Sequence, residues 1–195
     1  MSPTSLHDLI RKRRSIYPQS YTDQPISMET LSEIIESANW APTHRKTEPW
    51  RLIIIQGEDR AALANYLGKY YLEHTPEENL SEIKLKKIRQ KPLQSQVVLA
   101  ICMQRDPEER LPEWEEIAAT AMAVQNMWLS CTAHGIGSYW SSPGSVVRAE
   151  AARQFLHLRE GERCLGLFYM GHHHLPDLPG TRQPINEKIR KLGQP

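Results

Sequence analysis

An α+β domain, with helices covering both faces of a short sheet in a three-layer sandwich, is what the sequence predicts, and three observations lead there. Two apolar runs, Leu52 to Ile55 and Val97 to Cys102, are strand-sized and lack the alternation of a half-exposed strand. Apolar residues elsewhere recur at i, i+3, i+4, i+7, the stripe of a helix resting on a core. The strands, about four in number, fall among the helices in an irregular order rather than in strict alternation, although a doubly wound α/β sheet also satisfies the pattern. The 195 residues suffice for one substantial core and not for two ordinary enzyme domains, so residues 1–195 are expected to form a single domain.

The first element runs from Ser5 to Arg14, with Leu6, Leu9 and Ile10 on one face and Ser5 and Asp8 spaced as in a capping box. A second helix begins near Ser27, where Ser27 and Thr30 can cap, and carries Leu31, Ile34, Ile35 and Ala38 before stopping ahead of Pro42. Residues 41–49 form a proline-bracketed loop, and the β-branched run from Trp50 to Gln56, closed by Gly57, reads as a strand. From Asp59 to about Arg89 the pattern is helical and charged, with Pro76 dividing two exposed helices. Gln96 to Gln104 reads as the central strand. An acidic link over 106–116 leads to a helix from Ile117 to Ala133 that is apolar around most of its circumference and must be buried, a second subunit being one way to do so. Gly135 to Gly144 reads as a short strand ending in a turn, Val146 to Leu156 as an amphipathic helix, Cys164 to Gly171 as the last strand, and Asn186 to Leu192 as a terminal helix.

Composition narrows the function. Lys plus Arg total 24 against 23 acidic residues, a net charge of +1, which gives no electrostatic case for a nucleic-acid or membrane-surface partner. Hydrophobic residues are only 39% of the chain, yet five Trp and seven Tyr supply the packing groups of a folded protein, one that association could complete. No apolar run approaches the roughly 20 residues of a membrane span, and the N-terminus lacks the pattern of a secretory signal, so a cytosolic location is expected. Cys102, Cys131 and Cys164 are odd in number and far apart, as buried reduced thiols would be.

The motifs of P-loop, dinucleotide-binding, zincin and α/β-hydrolase enzymes are absent. His172, His173 and His174 are conspicuous, but adjacent residues on extended backbone point to opposite sides and suit a solvated loop better than one metal ion. Arg11-Lys-Arg-Arg-Ser15 offers guanidinium and hydroxyl donors suited to a phosphate monoester; the same cations would also compensate a helix dipole. The loop from Trp40 to Trp50 concentrates hydroxyl, imidazole and cationic groups between two prolines, either as a functional loop or as a connector stapled by Trp50.

Taken in order, Arg13-Arg-Ser15, Ala41-Pro-Thr-His44, Glu48-Pro-Trp50, the Ala-rich helix over 118–129 with Gly135-Ile-Gly after it, and Leu165-Gly-Leu-Phe-Tyr-Met-Gly171 resemble the nitroreductase family of flavoproteins, in its small compact branch, across nearly the whole chain. The resemblance implies FMN bound without a covalent link at the interface of an intertwined homodimer. It implies phosphate and ribityl contacts from Arg13, Arg14 and Ser15, with Arg182 as a further phosphate ligand. Trp140, Ser141 and Ser142 would pack against the isoalloxazine ring, and Trp40, His44, Lys46 and Thr47 would lie on a loop near the flavin, the first two reaching it from the partner subunit.

Two departures stand out. Tyr17 occupies a position where relatives carry a cation near the flavin pyrimidine, and Arg45 or Lys46 could compensate. His172 to His174 replaces a Tyr-Pro-like run. The implied activity is hydride transfer from NAD(P)H through FMN to small electron-poor aromatic substrates, nitroaromatics or quinones, in a ping-pong cycle with no catalytic triad. The alternatives are a flavin-consuming or dehalogenating member of the same fold, and a non-catalytic binding module using the basic run from Lys84 to Lys91, five cations in eight residues.

Overall fold

The computed structural model describes residues 3–193. In order it carries α1 (Pro3–Lys12), α2 (Met28–Ala38), β1 (Trp50–Ile55), α3 (Asp59–Glu73), α4 (Glu82–Gln94), β2 (Val97–Gln104), α5 (Glu113–Ala133), β3 (Ile136–Ser141), α6 (Gly144–Val147), α7 (Glu150–Phe155) and β4 (Glu162–His172). The strands form one sheet, β1-β2-β4-β3, in which every neighbouring pair is antiparallel. A doubly wound sheet needs parallel strands joined by crossover helices, so that alternative falls away.

Strand β2 lies inside the sheet, and all its residues from Val97 to Met103 are buried. Its alternate side chains feed two cores. Val97, Leu99, Ile101 and Met103 face α2 and α5 with Ile34, Val124 and Met127, whereas Val98, Ala100 and Cys102 face α3, α6 and α7 with Leu63, Leu67 and Val146. Helices on both sides of one sheet make the expected three layers. A bulge in β4 keeps its two faces matched to these layers: Ile101 pairs with Gly166 but Cys102 with Cys164, leaving Leu165 as the extra residue. Gly166 sits there at φ +149°, and a Cβ on it would meet the Ser141 carbonyl at 2.5 Å.

Helix α2 begins where expected, with the Ser27 hydroxyl accepting from the Thr30 N–H at 3.1 Å. Other boundaries differ. Helix α1 starts at Pro3, a residue suited to a first turn, so Ser5 lies inside the helix instead of capping it. It stops at Lys12, and the Arg14 guanidinium donates back to the carbonyls of Arg11 and Arg13 at 2.5 and 2.8 Å. Helix α3 is not simply exposed, because Leu63, Leu67 and Tyr71 form a buried stripe along it, whereas α4 is mostly exposed, with Pro92 buried.

Helix α5 starts upstream of Ile117 with Glu113, Glu115 and Glu116 in a first turn that the helix dipole favours. It buries one face, from Glu116 to Cys131, and leaves the other partly open, Met122 being 40% exposed. The segment expected as one helix over 146–156 is two, α6 and α7; Val146, Ala152 and Leu156 all face the same core, so the periodicity continues across the break. The last strand is longer than expected at both ends. Past β4, the tail makes a single 3-10 turn at Ile185–Lys188 in place of the expected helix. Cys102, Cys131 and Cys164 are buried and unpaired, and no helix is long and apolar enough to cross a membrane among the described residues.

Candidate functional site

The end of α1 and the C-terminal tail, distant in sequence, enclose a cavity of about 490 Å³ lined by Arg11, Arg13, Arg14, Arg182, Gln125 and Gly180, with Ile10 at its edge. No carboxylate is among the lining residues, and among the described residues none of the four arginines makes an ion pair. Arg13 lies over the Trp128 ring, 4.6 Å from its centroid, while the Trp128 indole N–H donates to the Arg14 carbonyl at 3.2 Å. Burial, together with the positive charges of Arg182 and Arg14, lowers the Arg13 pKa. Gly180 lies directly against the Arg14 guanidinium, which a side chain at that position would displace. A concave site of unneutralised guanidinium groups is built for an anion, and their planar forks match phosphate.

Ser15 follows this cluster half-buried, and the next residue ties the segment to the sheet, the Ile16 N–H donating to the Ser138 carbonyl at 3.0 Å. Tyr17 then packs on Tyr139 of β3 with centroids 4.6 Å apart, and the Lys91 ammonium lies 5.4 Å from the Tyr139 centroid. Arg45 and Lys46, the cations expected to compensate for Tyr17, stand exposed in the 41–49 loop; Lys91 is the one found against Tyr139. Trp140 and Ser141 end β3, and Ser142 follows exposed. Ser141 opens onto a second cavity, of about 290 Å³, which it shares with Tyr70, Tyr71, His74, Lys84 and Lys91. Among the described residues, the buried side-chain polar atoms left without a partner are Arg14 Nε and Trp140 Nε1, one on the arginine cluster and the other at the end of β3.

The 41–49 loop is a strained turn around a 3-10 segment, His44–Lys46, with Arg45, Lys46 and Glu48 at φ +52°, +54° and +42°. His44 Nδ1 meets Glu115 of α5 at 2.7 Å, and the Thr43 and Thr47 hydroxyls are 3.2 Å apart. Trp40 projects 79% exposed. Trp40, His44, Lys46 and Thr47 line neither cavity. Their anchor, Glu115, is ten residues along α5 from Gln125 of the arginine site, about 15 Å of helix. Within one chain, therefore, Arg13, Arg14 and Arg182 come together, Ser141 joins the second cavity, and the loop residues stand apart.

The triple histidine is less of a loop than expected. His172 completes β4, its carbonyl accepts from the Thr22 N–H at 2.8 Å, and His173 bridges to Tyr21. Burial, then the neighbouring imidazoles, lowers the His173 pKa. Lys84, Lys91 and the tyrosines facing them are not among the residues that the family resemblance assigns to the site. The available signal was the spacing of Lys84, Ile88 and Lys91, which puts a cation, an apolar residue and a cation on one side of α4.

Comparison with known proteins identifies the family and the fold. The family model described as Nitroreductase family matches residues 10–172. The Bacillus subtilis (strain 168) protein named "Putative NAD(P)H nitroreductase YfhC" is 29% identical over 96% of this chain and 94% of its own. A crystal structure of a nitroreductase-like family protein from Bacillus cereus superposes with a TM-score of 0.82 at 27% identity, covering 100% of this chain and 99% of that one. A nitroreductase-type protein from Desulfovibrio desulfuricans, crystallised in complex with FMN, gives 0.73 at 25% identity, with 100% and 99% covered.

Proposed function

This chain belongs to the nitroreductase family, and from that premise we propose that it is an FMN-dependent NAD(P)H oxidoreductase acting on nitroaromatic or quinone-like acceptors. The observation that carries the reading is the pair of buried unpartnered donors, Arg14 Nε and Trp140 Nε1, both on residues that the family resemblance assigns to FMN. Their fit to the cofactor is chemical. Arg13, Arg14 and Arg182 offer a carboxylate-free nest for a phosphate carrying about −1.5 to −2 charge. Ser15 would hold the ribityl chain, and Trp140, Ser141 and Ser142 would back the ring.

When bound, FMN supplies the hydride acceptor and donor. The protein's residues do the remaining work: the arginines hold the anionic end, the end of β3 orients the ring, and the rigid 41–49 loop reaches over from a second subunit with Trp40, His44, Lys46 and Thr47 to exclude water. A homodimer is part of this reading, because those loop residues line neither the arginine cavity nor the cavity at Ser141 of their own chain. Three reduced buried thiols support a cytosolic location as part of this reading.

Donor and acceptor use one cavity in turn, so initial rates over a grid of NAD(P)H and quinone concentrations should give parallel double-reciprocal lines. Intersecting lines would overturn the shared cavity. The reading as a whole is tested by the colour of the purified protein: a yellow preparation releasing FMN on denaturation supports it, and a colourless protein that cannot be reconstituted with FMN defeats it.

A further inference from the structure

We propose that the cavity between α3, α4 and the end of β3 seats the acceptor and selects aromatic acceptors bearing a carboxylate, with Lys84 and Lys91 as the specificity residues. The inference rests on the flavoenzyme reading above, which places the reacting ring against Ser141, a residue that also lines this cavity.

Ring recognition comes first. The cavity, at about 290 Å³, lies near the small end of the roughly 300–1,000 Å³ usual for small-molecule sites, so it suits a single substituted ring. Tyr70 and His74 stack with centroids 3.8 Å apart at 7°, and Tyr71 and Ile88 add apolar wall. Such surfaces take a flat aromatic face.

Charge recognition comes from α4. Lys84 and Lys91 are seven residues apart on one helix face, about 10 Å along the axis, with Ile88 between them. The Lys84 ammonium lies 5.1 Å from the Tyr71 centroid and that of Lys91 5.4 Å from Tyr139, so aromatic rings orient both cations while their N–H donors stay available. No residue lining the cavity carries a carboxylate, and among the described residues neither lysine makes an ion pair. Two oriented cations beside an apolar ring site, with nothing negative to satisfy them, complement an aryl carboxylate. The rest of the run is not a free basic face: Arg89 packs across Gly68 of α3, which leaves Lys86 and Lys87 outward.

For a nitro compound, each turnover takes a hydride from NAD(P)H and a proton from solvent. The nitro group becomes nitroso, one N–O bond breaks, and that oxygen leaves as water; the carboxylate is unchanged.

The test compares 4-nitrobenzoate with nitrobenzene as acceptors, and benzoate with benzamide as unreactive ligands titrated calorimetrically into the holoenzyme. Benzoate should bind roughly tenfold tighter than benzamide, and Lys84→Met and Lys91→Met should each erase most of that ratio, as loss of a charge-assisted contact does. Lys84→Arg, which keeps the charge, should retain it. The ratio of KM values for the two nitro compounds should follow the calorimetry, and added salt should shrink both. Equal affinity for benzoate and benzamide, or an unchanged ratio in both methionine variants, overturns the inference while leaving the flavoenzyme reading intact if nitrobenzene is still reduced. Failure to reduce either nitro compound overturns that reading together with the inference built on it.

Discussion

Arginine charge that finds no carboxylate is the residue-scale signature of this molecule. Arg13 is held beside Arg14 and Arg182, and its lowered pKa reflects first the burial and then those like charges. In the proposed holoenzyme an anionic phosphate relieves the repulsion. Replacing Arg13 or Arg14 with alanine should therefore weaken FMN by about 1.5–3 kcal/mol, the worth of a hydrogen bond to a charged group, and leave riboflavin affinity little changed. Fluorescence titration with the two flavins separates the outcomes, and equal losses for both would assign the arginines to stability alone. Gly166 makes a different demand. Its φ of +149° and the Ser141 carbonyl 2.5 Å from a notional Cβ predict that Gly166→Ala costs about 3 kcal/mol in denaturant unfolding. Gly144, with nothing within 4 Å of such an atom, should lose under about 1 kcal/mol to alanine.

Among the elements, α5 has the most instructive beginning. Glu116 in its first turn is 1% exposed, accepts from the Asp106 N–H at 2.8 Å and pairs with Arg105, whose guanidinium also donates to the Leu111 carbonyl at 2.5 Å. Asp106, beside it, holds Arg110 through bonds of 2.8 and 3.1 Å. Hydrogen bonding to Arg110 pulls the Asp106 pKa from 3.8 down to about 2, so its ionised form is favoured in the folded state. That contribution is fully present above pH 3.8 and is lost as pH falls toward 2. The stability gap between the native chain and Asp106→Asn should accordingly be largest at neutral pH and close through that window, as measured by thermal unfolding across acid pH. A gap that persists at pH 2 would show that the aspartate acts through packing instead.

At the scale of the whole molecule, large apolar side chains stay uncovered on one chain: Trp40 is 79% exposed, and Met28 and Trp114 are each 66% exposed. Leu6 and Ile10 on α1 and Met122 on α5 add to them. A second copy would cover such surface and would bring the 41–49 loop toward the neighbouring arginine site. Sedimentation equilibrium should then return twice 22.5 kDa for the flavin-loaded protein. A flavin-loaded monomer would remove Trp40 and His44 from the site.

Local periodicity was enough to reveal the layers and the central strand. The unbroken apolar run of β2 reflects burial on both faces, and the Ser27 cap and the α2 stripe depend on neighbours within one turn. The phosphate-type cluster was half legible, since Arg13 and Arg14 are adjacent, whereas the seat of Arg182 depends on the path of an irregular tail that Lys12 ties down through Asp177 at 2.9 Å. What tertiary structure alone decided was antiparallel pairing throughout, the bulge at Leu165, the break between α6 and α7, and the placing of Lys84 and Lys91 beside tyrosine rings at one cavity. The reason is range: a helical stripe or a cap arises from residues within a turn of one another. A lysine's role depends on which ring, from elsewhere in the chain, the packed sheet sets beside it, and Tyr139, far along the sequence, is the ring set beside Lys91.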